Sequence, residues 1–181
     1  GVIACGVIPI EGHEPRVSPN ERYRAMVEIF GATARNGSTC GTHVHVAIDS
    51  PEEGVGVIDR IAPWLPVLVA IGANSPFAEG RDTHYASWRS QAWMRWPSAG
   101  STEAFESVEG YQEASRMLLM TGAARDEGML YFDARLSAGQ PTVEVRVLDS
   151  CTDHEDAVLA TALVRGLVVT ASREWQQERR W

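Results

Sequence analysis

The sequence predicts an α+β fold, an antiparallel sheet with flanking helices, and three observations point to it. First, two segments alternate with the period of a strand, Cys40-Gly41-Thr42-His43-Val44-His45-Val46 and Pro141-Thr142-Val143-Glu144-Val145-Arg146-Val147-Leu148-Asp149. Second, helix-start chemistry recurs between and around them, as Ser18-Pro19-Asn20-Glu21 and Ser50-Pro51-Glu52-Glu53. Third, strands and helices do not follow the regular βαβ rhythm of a doubly wound sheet, and there is no internal repeat.

The elements follow in order. The apolar run over residues 2–10 reads as a short buried strand. The first capping box opens a helix that runs to about Arg35, where Asn36-Gly37 ends it. In the strand that follows, Cys40, Thr42, Val44, Val46 and Ile48 share one face, and Gly41, His43, His45, Ala47 and Asp49 the other. The second capping box starts a helix near Pro51; Pro63 and Pro66 break or restart it before it continues to Gly72. Residues 74–101 carry loop chemistry (Asn74-Ser75-Pro76, Gly80-Arg81-Asp82, Pro97-Ser98-Ala99-Gly100) interleaved with Tyr85, Trp88, Trp93 and Trp96, which reads as a long functional loop. A helix is expected from Glu103 to Met120, ending at Gly122. Tyr131 to Arg135 reads as a strand entering a turn at Ser137–Gln140, and the second alternating strand follows with Val143, Val145 and Val147 on one face and Thr142, Glu144 and Arg146 on the other. A last helix starts near Asp153 and runs to the end.

The chain of 181 residues is sized for one domain, and 44% hydrophobic residues can build a core. Its formal charge of −8 argues against nucleic acid and anionic membranes as partners. All 16 basic residues are Arg, which supplies fixed positive charge suited to carboxylate and phosphate. Cys5, Cys40 and Cys151 form no CxxC pair, which argues against a disulfide framework or zinc ribbon and fits a reducing cytoplasm. No signal peptide and no bilayer-spanning apolar run are expected.

Candidate chemistry sits on the two alternating strands. His43 and His45 can ligate a divalent metal, or one can donate to a phosphate, or both can be half-buried imidazoles bonded to backbone. Glu144, between two valines of a strand expected to be central, must be paired or metal-bound, and Arg146 is its nearest candidate partner. Arg89, in Tyr85-Ala86-Ser87-Trp88-Arg89-Ser90-Gln91, could clamp a substrate carboxylate from a loop, or stack on Trp. Arg135 has the same two readings, and Asp133 is a possible local ion-pair partner. Asp82 and His84 are weaker candidates; His13, His154 and Asp149 read as structural. The tryptophans read as packing rather than a base-stacking platform.

Several pieces then occur in order: Cys40 to Val46; Ala73-Asn74-Ser75-Pro76-Phe77; Gly80-Arg81-Asp82-Thr83; Ser87-Trp88-Arg89; Arg95 to Gly100; Asp133-Ala134-Arg135; and Pro141 to Arg146. Over roughly residues 18–170 this resembles the carboxylate–amine ligases related to the second glutamate–cysteine ligase family of bacteria, a branch of the glutamine synthetase superfamily. The resemblance implies a glutamine synthetase-like catalytic domain, of which residues 1–181 would be a single partial piece lacking N-terminal and C-terminal portions. It implies ATP and magnesium (or manganese) as cofactors and glutamate plus an amine such as cysteine as substrates, in glutathione-like thiol biosynthesis; the oligomeric state is open. By the same resemblance His43 and Glu144 would ligate one metal, His45 and Arg146 would face the phosphates, Arg89 would hold the amino-acid carboxylate, and Arg135 would meet the charge developing on the transferred phosphoryl group. The family's glutamate-rich strand, which supplies further metal ligands, has no counterpart in Val2 to Glu53.

Two rivals remain. A cupin-type metal enzyme also joins His-x-His to a carboxylate, but its acid follows closely, and here only Asp49 does, just before a capped helix. A non-catalytic nucleotide- or metal-binding module would use the same strands as scaffold and the aromatic loop as an interface.

Overall fold

A computed structural model describes residues 3–10 and 17–177. At its centre a three-stranded antiparallel sheet has the order β1-β5-β4, where β1 is Gly41–Ala47, β4 Ala134–Leu136 and β5 Thr142–Asp149. The valine-backed strand β5 is thus central, and every residue of it after Thr142 is buried. The register aligns whole rows: Val44, Val145 and Ala134 face one another, as do His45, Glu144 and Arg135, and then Val46, Val143 and Leu136. The valine rows and the charged row project to opposite faces because strand side chains alternate.

The apolar face is covered by helices α3 (Pro51–Ile61), α4 (Leu65–Ile71) and α7 (His154–Gln176). Val55, Ile58 and Ile61 of α3 and Val164 and Val168 of α7 are buried with Val143 and Val145 in one core. Helix α3 lies tight against α7 because Gly56 has no side chain: a Cβ there would overlap the Trp175 indole. Ser50 caps α3 by accepting from the Glu53 amide at 3.2 Å, and the Glu53 carboxylate reaches back to the Asp49 amide at 2.6 Å. The helix ends where Pro63 imposes a 3₁₀ turn, Ala62–Trp64, before α4 begins with Pro66 in its first turn. Pro51–Ile71 is, by length and composition, apolar enough to cross a membrane, contrary to the sequence expectation; here it is a broken core segment with Val55, Val57, Ile58, Ile61, Leu65 and Leu68 buried.

Other boundaries move for local reasons. The first helix starts two residues late: Asn20, rather than Ser18, caps α1 (Glu21–Phe30) by accepting from the Arg22 amide. It does not run through to Arg35, because Gly31 adopts φ 53° and separates α1 from the short α2 (Ala32–Arg35). Residues 3–10 form no buried strand; only Val7 bridges Thr39, and Ile3, Ile8 and Ile10 are exposed. Residues 74–101 are not one loop. They hold a two-residue-per-strand hairpin, β2 (Phe77–Ala78) with β3 (Arg81–Asp82), and helix α5 (Trp88–Trp93), capped by Ser87. Helix α6 runs from Val108 to Met120 rather than from Glu103, because the buried Asp59 carboxylate takes the amides of Phe105 and Glu106 and Ser107 becomes the cap. Asp153 caps α7 as expected.

Candidate functional site

The polar face of the sheet gathers four of the six predicted residues around a fifth, Glu144. Its carboxylate is buried, with Oε2 2.7 Å from Arg135 Nε and Oε1 2.6 Å from Arg146 Nη1. On the other side, His43 Nδ1 stands 3.0 Å and His45 Nε2 3.7 Å from the same Oε1. The row His45–Glu144–Arg135 is set by strand register; His43 and Arg146 join it by alternation. Burial pushes the Glu144 carboxyl up, but hydrogen bonds from His43 and Arg135 and the charges of Arg146 and Arg135 outweigh it and hold the group well below the usual carboxylate range. For Arg146, burial and the charge of Arg135 together lower the guanidinium's pKa against the pull of Glu144.

Arg135 is anchored further by donating from Nη1 to the Leu130 carbonyl at 2.9 Å and, at 3.3 Å, to those of Glu127 and Gly128 in a 3₁₀ turn, Glu127–Met129. Arg146 lies between aromatic faces, 5.7 Å from the ring centres of both Trp93 and Tyr131. Its Nε is buried without a partner among the described residues. The side chains of Arg135 and Arg146 are only 12% and 6% exposed, whereas those of His43 and His45 are 34% and 42% exposed. Solvent therefore meets the imidazoles first, with two fixed positive charges behind them and one carboxylate to offset them. Two guanidiniums against one carboxylate leave an excess of positive charge, suited to an anion.

Arg89 is not in this group and is not in a loop. It sits in the first turn of α5, 2% exposed, and donates from Nη2 to the Arg146 carbonyl at 2.9 Å and from Nη1 to the Val147 carbonyl at 3.4 Å. Those carbonyls belong to a β-bulge: between the pairs Thr42–Leu148 and Val44–Val145, β5 has one residue more than β1. Arg89 satisfies the carbonyls at that irregularity, passing where Gly41 has no side chain. Burial lowers its pKa, partly offset by Asp149.

Asp149, read as structural, is 1% exposed and accepts from Ser75 Oγ at 2.7 Å, Ser87 Oγ at 2.8 Å and the Asn74 amide at 2.8 Å. It ties the start of the aromatic segment and the cap of α5 to the end of β5. Arg135 pairs with Glu144 across strands rather than with Asp133, whose carboxyl burial raises. Asp82 with His84, and His154, lie exposed and away from the cluster. His13 lies outside the described residues. Sequence reading missed Trp93 and Tyr131 as partners of Arg146; an Arg facing aromatic residues two segments away leaves no local signal.

A divalent cation does not fit the residues described. Both oxygens of Glu144 are already held by guanidiniums, and His43 is bonded to the carboxylate instead of opening beside it. Among the described residues no group of three or more His, Cys, Asp or Glu side chains could hold a metal ion. His43 and Glu144, expected to share a metal, are adjacent and bonded to each other at 3.0 Å.

The family model described as glutamate–cysteine ligase family 2 matches residues 1–181. A Nocardioides protein named "Putative glutamate--cysteine ligase 2-1" is 66% identical over 176 residues, covering 97% of this chain and 46% of its own. One of the same name from Streptomyces avermitilis is 51% identical over 177 residues, covering 98% of this chain and 48% of its own. A Frankia alni protein named "Putative glutamate--cysteine ligase 2-2" is 54% identical over 161 residues, 89% of this chain and 42% of its own. The chain thus spans somewhat less than half the length of these curated relatives.

Proposed function

Given that the chain belongs to the glutamate–cysteine ligase family 2, we propose that it supplies the anion-binding side of an ATP-dependent carboxylate–amine ligase site with a glutamine synthetase-like architecture. The observation that carries this reading is the row His45–Glu144–Arg135 with His43 and Arg146 beside it: two reachable imidazoles backed by two buried guanidiniums.

In this reading the nucleotide's phosphates dock over His43 and His45. Arg146 and Arg135 do not touch solvent freely, so they act as fixed positive charge behind the imidazoles, and Glu144 holds both in place. Phosphoryl transfer asks mainly for positioning and charge neutralisation. The γ-carboxylate of glutamate attacks the terminal phosphorus of ATP, the bond to ADP breaks, and an acyl phosphate forms. An amine then attacks the acyl carbon, inorganic phosphate leaves with the bonding pair, and the nitrogen sheds a proton as the amide forms. Arg89, committed to the bulge carbonyls, has a positioning role in this scheme instead of holding a substrate carboxylate.

The free state of Cys5, Cys40 and Cys151 supports a reducing compartment such as the cytoplasm for this activity.

Calorimetric titration of magnesium–ATP into the chain tests the reading, with His43→Ala and His45→Ala as controls and glutamate-dependent phosphate release as the second readout. Binding that either substitution weakens at least tenfold is expected. Binding without turnover in the presence of glutamate and amines supports the non-catalytic nucleotide-binding alternative. No binding by a folded chain overturns the proposal.

A further inference from the structure

The charged face of the sheet continues one row past Arg135, to Asp133. Phe132 and Ala134 are both buried in the core, so the side chain between them turns to the face that carries Arg135. The Arg146 amide donates to the Asp133 carbonyl at 2.9 Å. That bond carries the β4–β5 ladder one step beyond the Ala134–Val145 pair and sets Asp133 opposite Arg146. Directly opposed residues on one face have Cβ atoms about 5 Å apart. Asp133 therefore stands beside Arg146 as Arg135 stands beside Glu144.

The two carboxyls on this face differ. Glu144 is closed in and held by guanidiniums. Asp133 is half-buried, and the cations around it are committed elsewhere: Arg135 and Arg146 to Glu144, and Arg89 to the Arg146 and Val147 carbonyls. Among the described residues none donates a hydrogen bond to its oxygens. Burial raises its hold on a proton, against the pull of the Arg89 charge, whereas Glu144 is held well below the usual carboxylate range. Asp133 is thus the carboxyl here that is free to hold a cation and suited to taking a proton from it.

The ligase reading calls for such a group. Near neutral pH the nitrogen of an amino acid is mostly ammonium and has no free electron pair for attack. Asp133 adjoins Arg146, which that reading places behind the phosphates; on its other side, Trp93 and Tyr131 stand between Arg146 and an aromatic cavity of about 300 Å³. Docked phosphates would offset the guanidiniums and leave the face open to an ammonium group.

We propose that Asp133 is the catalytic base of the amide-forming step: its carboxylate binds the ammonium group of the acceptor amino acid, such as cysteine, and takes one proton from it. The inference rests on the ligase reading for the chemistry that follows, while the amine binding rests on the placement of Asp133. One N–H bond breaks, its pair stays on nitrogen, and the proton passes to a carboxylate oxygen of Asp133. The freed pair forms the C–N bond at the acyl carbon, the bond from that carbon to the phosphate oxygen breaks, and phosphate leaves with the pair. The nitrogen's surplus proton goes to the departing phosphate, and Asp133 returns its own to water.

The test is ligand-observed NMR binding of cysteine and of N-acetylcysteine, which lacks the basic nitrogen, to the chain and to Asp133→Asn, with and without magnesium–ATP. Calorimetry gives the magnesium–ATP affinity of the same samples. Asp133→Asn should weaken cysteine at least about tenfold, the worth of one hydrogen bond to a charged group, and leave N-acetylcysteine and magnesium–ATP unchanged. Where the variant disturbs folding, carbon-13 NMR titration of the Asp133 carboxyl in the parent chain serves instead: bound ammonium should lower its midpoint. Equal cysteine affinity in the folded variant, no preference for cysteine over N-acetylcysteine, or a midpoint indifferent to cysteine overturns the proposal. Magnesium–ATP binding with cysteine binding that ignores Asp133 sinks this inference and leaves the ligase reading standing. Asp133-dependent cysteine binding without magnesium–ATP binding does the reverse, leaving an amine-binding site.

Discussion

Arg135 and Glu144 are cross-strand partners in the β4–β5 pair, and Arg135 Nε lies 2.7 Å from Glu144 Oε2. Nine residues apart in sequence, they are brought together by the turn over Ser137–Gln140, in which Gly139 takes φ 80°. The pair is the fixed half of the cluster: Arg135 also donates from Nη1 to the backbone carbonyls of Glu127, Gly128 and Leu130, which holds it in place.

Glu144→Ala should cost about 3–5 kcal/mol, because it leaves two buried guanidiniums uncompensated. Urea unfolding followed by far-UV circular dichroism measures it. A triple variant, Glu144→Leu with Arg135→Met and Arg146→Met, should recover most of that loss; a variant as unstable as Glu144→Ala would mean that the ion pairs themselves supply the stability.

Acid should weaken the fold through Glu144. Its folded pKa is depressed while the unfolded chain takes up the proton near about 4.3. Between those two values the unfolded state binds more protons, so the stabilisation is fully present above the unfolded value and drains as pH falls toward the folded one. The urea midpoint should therefore decline steadily below about pH 5, and Glu144→Gln should flatten that decline. An identical acid limb in the variant would assign the loss to other carboxylates, such as Asp126, whose pKa its hydrogen bond with Arg22 lowers.

Gly41 and Arg89 should be energetically coupled. A Cβ at position 41 overlaps the Arg89 guanidinium, so Gly41→Ala should destabilise by about 1–3 kcal/mol. Removing Arg89 first removes that clash, so a double-mutant cycle should give a coupling comparable to the single effect. Additive losses would show that Gly41 is needed for its backbone alone.

Asp149→Ala should unfasten residues 74–87 from the sheet. Three donors would lose their only shared acceptor, at a cost of about 3 kcal/mol or more. Limited proteolysis should then cut first within the β2–β3 hairpin, while a cut elsewhere would place the weak point outside this network.

Much of the polar face was legible because period-two alternation is a local rule. His43 with His45, and Glu144 with Arg146, were assigned to shared faces from spacing alone, and the valines opposite them into the core. Caps at Ser50 and Asp153 and the break at Pro63 were likewise local, set by a side chain reaching its own backbone or by a missing N–H. Residues 2–10 show the converse. An apolar run signals burial only if the fold offers a surface to bury against, and among the described residues of this run the backbone is held at Gly6, Val7 and Pro9 while Ile3, Ile8 and Ile10 stay exposed.

What the sequence alone determined is therefore the two strands, which residues share a face, the starts of α3 and α7, and family membership. Tertiary structure alone decided that Arg135 would neutralise Glu144, that a bulge would open in β5 for Arg89 to satisfy, and that Trp93 and Tyr131 would join the charged cluster to an aromatic cavity. The division has one physical cause. Side-chain alternation and capping act within a few residues, whereas register, bulges and ring packing depend on segments distant in sequence meeting in one place, and shifting a strand by one residue would exchange every one of those partners.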